Sequence, residues 1–152
     1  MTVRIQEGDF DLSCEIATLR QARPEIGAIA AFIGLVRDVN AGAAVSELTL
    51  EHYPAMTQKA LEAIVNEAKQ RWPVDDALVV HRVGRLLPAD QIVLVAVASA
   101  HRGDAFQACE FIMDFLKTQA PFWKKEQTPD GMRWVDGRDS DELKAALWGD
   151  KK

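Results

Sequence analysis

The stretch that decides the fold is Gln91-Ile-Val-Leu-Val-Ala-Val-Ala-Ser-Ala100, followed directly by His101-Arg-Gly-Asp104. The apolar run is far shorter than the ~20 residues that a membrane helix needs, and it predicts a strand. Apolar residues then recur every three or four positions over Asp104–Lys117, which predicts an amphipathic helix. A His-Arg pair therefore lies where a hydrophobic strand passes into a helix.

Two further strands are predicted earlier in the sequence. Ala77–Leu86 predicts a second strand, joined to the first by Leu87-Pro-Ala-Asp90, a typical hairpin connection. Gly27–Val36 is continuously apolar and too short for most helices, so it predicts a buried strand. A polar, glycine-containing loop is expected after it, from Arg37 onward.

Helices and a further hairpin complete the pattern. Ala55–Trp72 carries an apolar face with helical spacing, and Pro54 suits a helix start because its missing N–H costs nothing there. Phe122–Gln127 and Met132–Val135 flank Thr-Pro-Asp-Gly, which predicts a β-hairpin. Shorter elements are predicted as strands over Thr2–Gln6 and Val45–Tyr53, and as helices from Asp11 or Ser13 to about Gln21 and over Asp139–Trp148. This order indicates a mixed α+β domain.

Length and charge narrow the possible functions. The 152 residues match one domain, since domains cluster near ~100–150 residues, and we expect residues 1–152 to form it. The formal net charge of −5 argues against a general nucleic-acid binder. Cys14 and Cys109 are far apart, so we expect no disulfide scaffold. The N-terminal residues lack the apolar region of a signal peptide, and we predict a cytoplasmic protein.

Cationic side chains occur at the ends of predicted elements. His101 and Arg102 open a helix whose N-terminal N–H groups favour an anion, although a solvated pair is an equally simple interpretation. Strand alternation places Lys124 on one face with Phe122 and Glu126, and Lys125 on the other. Nearby cations would lower the pKa of Lys124, whereas a close Glu126 would keep it charged, and the sequence leaves both open.

Other candidates have ordinary structural interpretations. Lys117 suits the C-terminal turn of its helix, and Arg37 and Arg138 resemble surface arginines when taken singly. His81 shares a strand face with Val83 and is interpreted as a packed histidine rather than a base. No metal-binding spacing, P-loop, dinucleotide fingerprint or serine-nucleophile motif occurs, so no metal or cofactor is expected.

Five blocks occur in an order that identifies a family. They are Phe32-Ile-Gly-Leu-Val-Arg-Asp38, Leu50-Glu-His-Tyr-Pro-Ala-Met56, His81-Arg-Val-Gly84, Ser99-Ala-His-Arg-Gly-Asp-Ala-Phe106 and Pro121-Phe-Trp-Lys-Lys-Glu126. Together they resemble the catalytic (large) subunit of molybdopterin synthase, and the resemblance covers residues from about 3 to about 140. The tail beyond about residue 141 carries no recognisable block.

The resemblance implies a fold and an activity. The family fold is an α/β hammerhead with an additional antiparallel β subdomain. The reaction transfers sulfur from the C-terminal thiocarboxylate of a small ubiquitin-like partner subunit to cyclic pyranopterin monophosphate, which forms the dithiolene of molybdopterin. Two large subunits form a homodimer within a heterotetramer, with one small subunit at each far end.

The resemblance also implies a set of site residues. Lys117 and Lys124 match the two pocket lysines that are central to activity. The residues matching substrate-binding positions are Arg37, His101, Arg102 and, contributed across the dimer interface, Arg138. Phe32 and Met113 are expected to line the pocket.

Other functions remain possible at this point. The chain could dock a ubiquitin-like tail without performing chemistry, but its cations exceed what docking needs. It could be an unrelated enzyme acting on nucleotides or sugar phosphates, which pocket charge allows and the five ordered blocks oppose. A nucleic-acid binder fits worst, since the chain is acidic and has no basic stripe.

Overall fold

A computed structural model describes residues 1–135 and 145–149 of the chain. Ten strands and three helices are found in this part. They are β1 (Thr2–Gln6), α1 (Leu12–Arg20), β2 (Ala28–Leu35), β3 (Val39–Asn40), β4 (Ala43–Ala44), β5 (Glu47–His52), α2 (Pro54–Arg71), β6 (Val74–Arg82), β7 (Gly84–Leu86), β8 (Gln91–Ser99), α3 (Arg102–Gln119), β9 (Phe122–Thr128) and β10 (Gly131–Val135). The predicted α+β class is confirmed.

The first sheet has the strand order β1-β6-β8-β2. β1 runs parallel to β6, and the other pairs are antiparallel. The central strand β8 is apolar from Ile92 to Ala98, and helices cover both faces of the sheet there. Val93, Val95 and Val97 pack with α2 and α3 on one side, whereas Leu94 and Ala96 pack with α1 on the other.

Local chemistry explains where the helices begin. The Asp11 carboxylate caps α1 by accepting a hydrogen bond from the backbone N–H of Cys14 at 3.0 Å. Pro54 is the first residue of α2, as its lack of an N–H predicts. α3 begins at Arg102, directly after the end of β8.

The second sheet has the order β10-β9-β5-β7 and is antiparallel throughout. It is the additional antiparallel unit that the family resemblance implies. The predicted hairpin between β9 and β10 is confirmed, and Gly131 adopts a φ of +109° at its turn, a backbone conformation that favours glycine.

Three sequence predictions need correction. Residues 77–86 do not form one strand, because the chain leaves the first sheet as β6 and enters the second as β7, with Gly84 at φ +87°. The expected loop after Arg37 contains the short β3–β4 hairpin. The strand at Gly27–Val36 exists as β2, but it is an edge strand and not a buried one: Phe32 and Leu35 are 40% and 52% exposed.

The C-terminal helix predicted over Asp139–Trp148 lies mostly outside the described residues. Within 145–149, Trp148 packs edge-on against Trp72 and Phe111. Its indole N–H donates to the Asp114 carboxylate at 2.7 Å. Trp148 therefore anchors residues 145–149 against α2 and α3.

Candidate functional site

A cleft of about 500 Å³ opens between the two sheets. Its walls come from the end of β2, the end of α3 and the inward face of β9. The polar and aromatic side chains that line it are Phe32, Arg37, Asn40, Lys117, Phe122, Lys124 and Glu126. Three cations, Arg37, Lys117 and Lys124, thus border one open cleft from three different segments of the chain.

The two lysines reach the cleft from different elements. Lys117 lies in the last turn of α3. Lys124 lies on β9, and it shares the cleft wall with Phe122 and Glu126, as strand alternation predicts. Lys125 faces the opposite side, where its Nζ lies 5.0 Å from the centroid of the Trp134 ring. The prediction that the adjacent lysines occupy opposite faces is confirmed.

Glu126 is buried in the cleft wall, and its charge is matched. Arg133 donates from Nε to one carboxylate oxygen at 3.1 Å, and the Asn40 amide donates to the other at 2.9 Å. Arg133 also donates to the backbone carbonyl of Asn40 at 2.9 Å. The Glu126 carboxylate therefore links β3 to the β9–β10 hairpin, and its charge is paired with that of Arg133.

The network of Glu126, Arg133 and Asn40 is not among the sequence predictions, although the sequence does indicate its ion pair. Counting outward from the Thr-Pro-Asp-Gly turn pairs Glu126 with Arg133 across the hairpin, which is the observed register. Opposite charges directly across antiparallel strands form stabilising pairs. Asn40 could not be found this way because its position depends on the separate β3–β4 hairpin.

A second groove, of about 590 Å³, adjoins the cleft. Phe32 and Lys117 border both spaces, and Met113 lines the groove. The predicted lining residues Phe32 and Met113 are therefore both found beside Lys117. The exposed edge of β2 forms one wall of the groove.

The structure places His101 and Arg102 elsewhere. α3 has 18 residues, with Arg102 at its start and Lys117 in its last turn. At a rise of 1.5 Å per residue, Arg102 and Lys117 lie about 22 Å apart along the axis. Within the described residues, the cleft walls include neither His101 nor Arg102. Arg138 lies outside the described residues.

The buried side chains of His81 and Cys109 are both held uncharged. Burial lowers the pKa of His81 to about 4, and the positive charge of Lys124 adds to this effect. Burial raises the pKa of the Cys109 thiol to about 11, reinforced by the charge of Glu110. The interpretation of His81 as a packed histidine is confirmed, because it is 4% exposed.

In residues 1–135 and 145–149, no group of three or more His, Cys, Asp or Glu side chains could hold a metal ion. Over the same ranges, none of the helices combines the length and apolar character needed to span a membrane.

Comparison with known proteins shows the family. The model of the "MoaE protein" family matches residues 5–119. The "Molybdopterin synthase catalytic subunit" of Ralstonia nicotianae is 68% identical over 148 residues, which cover 97% of this chain and 84% of the relative.

Two solved structures show the same similarity in three dimensions. The "Molybdopterin biosynthesis MoaE protein" from Burkholderia ambifaria has a TM-score of 0.85 at 60% identity, with 99% of each chain covered. The "Molybdopterin Synthase" structure from Staphylococcus aureus has a TM-score of 0.79 at 34% identity, with 87% of this chain and 95% of that one covered. The resemblance and the fold that the sequence indicated are confirmed: the chain belongs to the MoaE family, whose curated members matched here are named catalytic subunits of molybdopterin synthase.

Proposed function

We propose that this chain transfers sulfur from the C-terminal thiocarboxylate of a small ubiquitin-like partner to cyclic pyranopterin monophosphate, and so forms the dithiolene of molybdopterin. The observation that carries the proposal is the meeting of Lys117 and Lys124, from different elements, in one cleft. The name "catalytic subunit" borne by the relatives supports an enzymatic role beside a second kind of subunit.

The charge of the cleft suits both reactants. The pterin carries a cyclic phosphate and the partner's tail ends in an anionic thiocarboxylate, so each is attracted by cations. Arg37, Lys117 and Lys124 supply them in a chain whose net charge is −5. Glu126 does not cancel them, because Arg133 and Asn40 already bind its carboxylate.

The two lysines are assigned the proton transfers. When the thiocarboxylate sulfur adds to the pterin, negative charge develops, and an ammonium group nearby stabilises it and supplies a proton. Each new carbon–sulfur bond replaces a carbon–oxygen bond of the pterin, whose oxygen departs as water or on the opened phosphate. Water then cleaves the acyl–sulfur bond, which leaves sulfur on the pterin and a carboxylate on the partner. Two rounds are needed because a dithiolene contains two sulfur atoms.

The state of the cysteines supports an external sulfur donor. A thiolate is the reactive form of cysteine, and the raised pKa of Cys109 keeps it as a buried thiol. Cys14 is exposed on α1 and does not line the cleft. The proposed chemistry accordingly uses the partner's sulfur and requires neither a metal nor a cofactor.

His101, Arg102 and Arg138 are proposed to hold the phosphate and the pterin. Because Arg102 lies about 22 Å from Lys117 along α3, one chain cannot present both to a small substrate. We therefore assign His101 and Arg102 to the cleft of a second copy, as we do Arg138. This arrangement requires a homodimer of this chain, with a small subunit on each copy to complete a heterotetramer.

Reconstitution tests the proposal. The purified chain is mixed with a thiocarboxylated ubiquitin-like partner and cyclic pyranopterin monophosphate, and dithiolene formation is measured. We expect product with the thiocarboxylated partner and none with the same partner ending in a carboxylate. Partner binding without product would instead favour a docking scaffold. We also propose that the protein acts in the cytoplasm. Residues 1–152 are proposed to form a single domain.

A further inference from the structure

Three aromatic rings are arranged together at the wall of the cleft. His81 of β6 stacks on Phe122 of β9, with ring centroids 3.9 Å apart and planes inclined by 16°. His52, the cross-strand neighbour of Phe122 on β5, lies at 6.3 Å with an angle of 27°. The closer pair joins the first sheet to the second.

The orientation of the His81 ring is fixed by the backbone. Its Nδ1 lies 2.8 Å from the carbonyl oxygen of Arg82, and since a carbonyl oxygen only accepts, Nδ1 carries the hydrogen. The charges of Lys124 on β9, His52 on β5 and Lys117 on α3 act on this ring, whereas its partners on the neighbouring strands β1 and β8 are the apolar Ile5 and Val93. Burial and these groups together keep the ring neutral at physiological pH.

Phe122 lies at the α3–β9 joint, the short segment of residues 120–122 that separates the two cleft lysines in the sequence. It is the first residue of β9, directly after the short connection from α3, so Lys117 precedes this joint and Lys124 follows it. Its ring lines the cleft together with both lysines. The joint is also held from α2, where the Thr57 hydroxyl donates to the Pro121 carbonyl at 3.2 Å.

We infer that His81 is a positioning residue for the proposed sulfur transfer: its neutral ring, stacked on Phe122, holds the joint that sets Lys117 and Lys124 relative to each other. A planar ring gives face-to-face contact that an aliphatic side chain cannot supply. A neutral ring adds no positive charge beside two lysines. The inference rests on the proposed function and assigns it a residue that does not contact the substrate.

The test compares His81→Leu, which removes the stacked ring, with His81→Phe, which keeps a ring against Phe122. In the reconstituted reaction we expect His81→Leu to lower kcat by about 10- to 100-fold, because small misplacements of catalytic groups have effects of this size. KM for the pterin should stay unchanged, and His81→Phe should recover most of the lost rate. Val80→Ala is the matched control: its side chain is buried on the same strand but packs on the opposite face of the sheet.

A pH profile separates positioning from proton transfer. A positioning role predicts that His81→Leu lowers the rate at every pH and leaves the shape of the profile unchanged. If the variant loses one limb of the profile, His81 carries a proton in the reaction and the inference is wrong.

If His81→Leu fails to fold, Phe122→Leu provides the test. It breaks the same stack at Phe122, which is less buried than His81. It should also lower kcat, since the same stack is gone. Wild-type kcat in a folded Phe122→Leu variant would contradict the inference. Equal kcat for wild type and folded His81→Leu would overturn the inference alone, whereas no product from wild type would overturn the proposed function and the inference with it.

Discussion

The central strands of the two sheets differ in what they carry. In β8, every side chain from Val93 to Ser99 is buried, because helices cover both faces of the first sheet. In β9, Lys124 and Glu126 face the cleft while Lys125 faces the other side. β8 contributes buried apolar side chains to the core, and β9 places charged side chains in the cleft. Substitutions of the buried residues of β8 should therefore change stability, and substitutions of the cleft lysines should change activity.

Lys117→Ala should give the largest effect on activity. Removing an ammonium group that stabilises developing charge and supplies a proton should lower dithiolene formation by at least about 100-fold. Because Lys117 is exposed on the last turn of α3, the melting temperature should stay close to that of wild type. The rate is measured with saturating partner. Near-normal turnover would remove Lys117 from the mechanism.

Leu94→Ala should show the opposite behaviour. Leu94 is fully buried in the centre of β8, and such truncations cost about 2–5 kcal/mol of unfolding free energy. Urea unfolding measures the loss, and turnover per folded molecule should remain near that of wild type. A large loss of turnover at unchanged stability would contradict the distinction between β8 and β9.

His81 should make the stability of the molecule depend on pH. Its pKa is about 4 in the folded chain against an ordinary value of 6.5, so the unfolded chain binds a proton first as the pH falls. Wild type should therefore lose up to about 3 kcal/mol relative to His81→Phe between pH 6.5 and pH 4, with no such difference above pH 6.5. Urea unfolding of both proteins across this range measures it. Parallel curves would contradict a neutral, buried His81.

Arg133→Met should give a smaller loss of stability. It leaves the buried Glu126 carboxylate without its cation, which costs about 3–5 kcal/mol in full burial. Because the Arg133 side chain is 39% exposed, we expect about 1–3 kcal/mol. Arg85→Met is the control, since Arg85 pairs with Glu47 at an exposed site and should change stability by less than about 1 kcal/mol. Equal effects would show that burial of Glu126 is unimportant.

Much of the fold follows from local patterns in the sequence. The α2 start at Pro54, the β9–β10 hairpin and the opposite faces of Lys124 and Lys125 all follow from rules that act over a few residues. The position of Lys117 at the end of α3 follows in the same way. These rules need no knowledge of the rest of the chain.

The remaining features depend on contacts between distant segments. An apolar run predicts a strand but does not say what covers it, so the exposed edge at Phe32 was not foreseen. The run at 77–86 looks continuous, and only the choice of sheet on each side of Gly84 divides it. The stack of His81 on Phe122 likewise joins two sheets, and no spacing in the sequence indicates it.

The most direct test of the central claim compares Lys124→Ala with Lys125→Ala in the reconstituted reaction. The two residues are adjacent and of the same type, but Lys124 lines the cleft while Lys125 lies over Trp134. We predict that Lys124→Ala loses at least about 100-fold in dithiolene formation, and that Lys125→Ala stays close to wild type. Equal losses in the two variants would contradict the claim that the face of β9 on which a lysine lies decides its role.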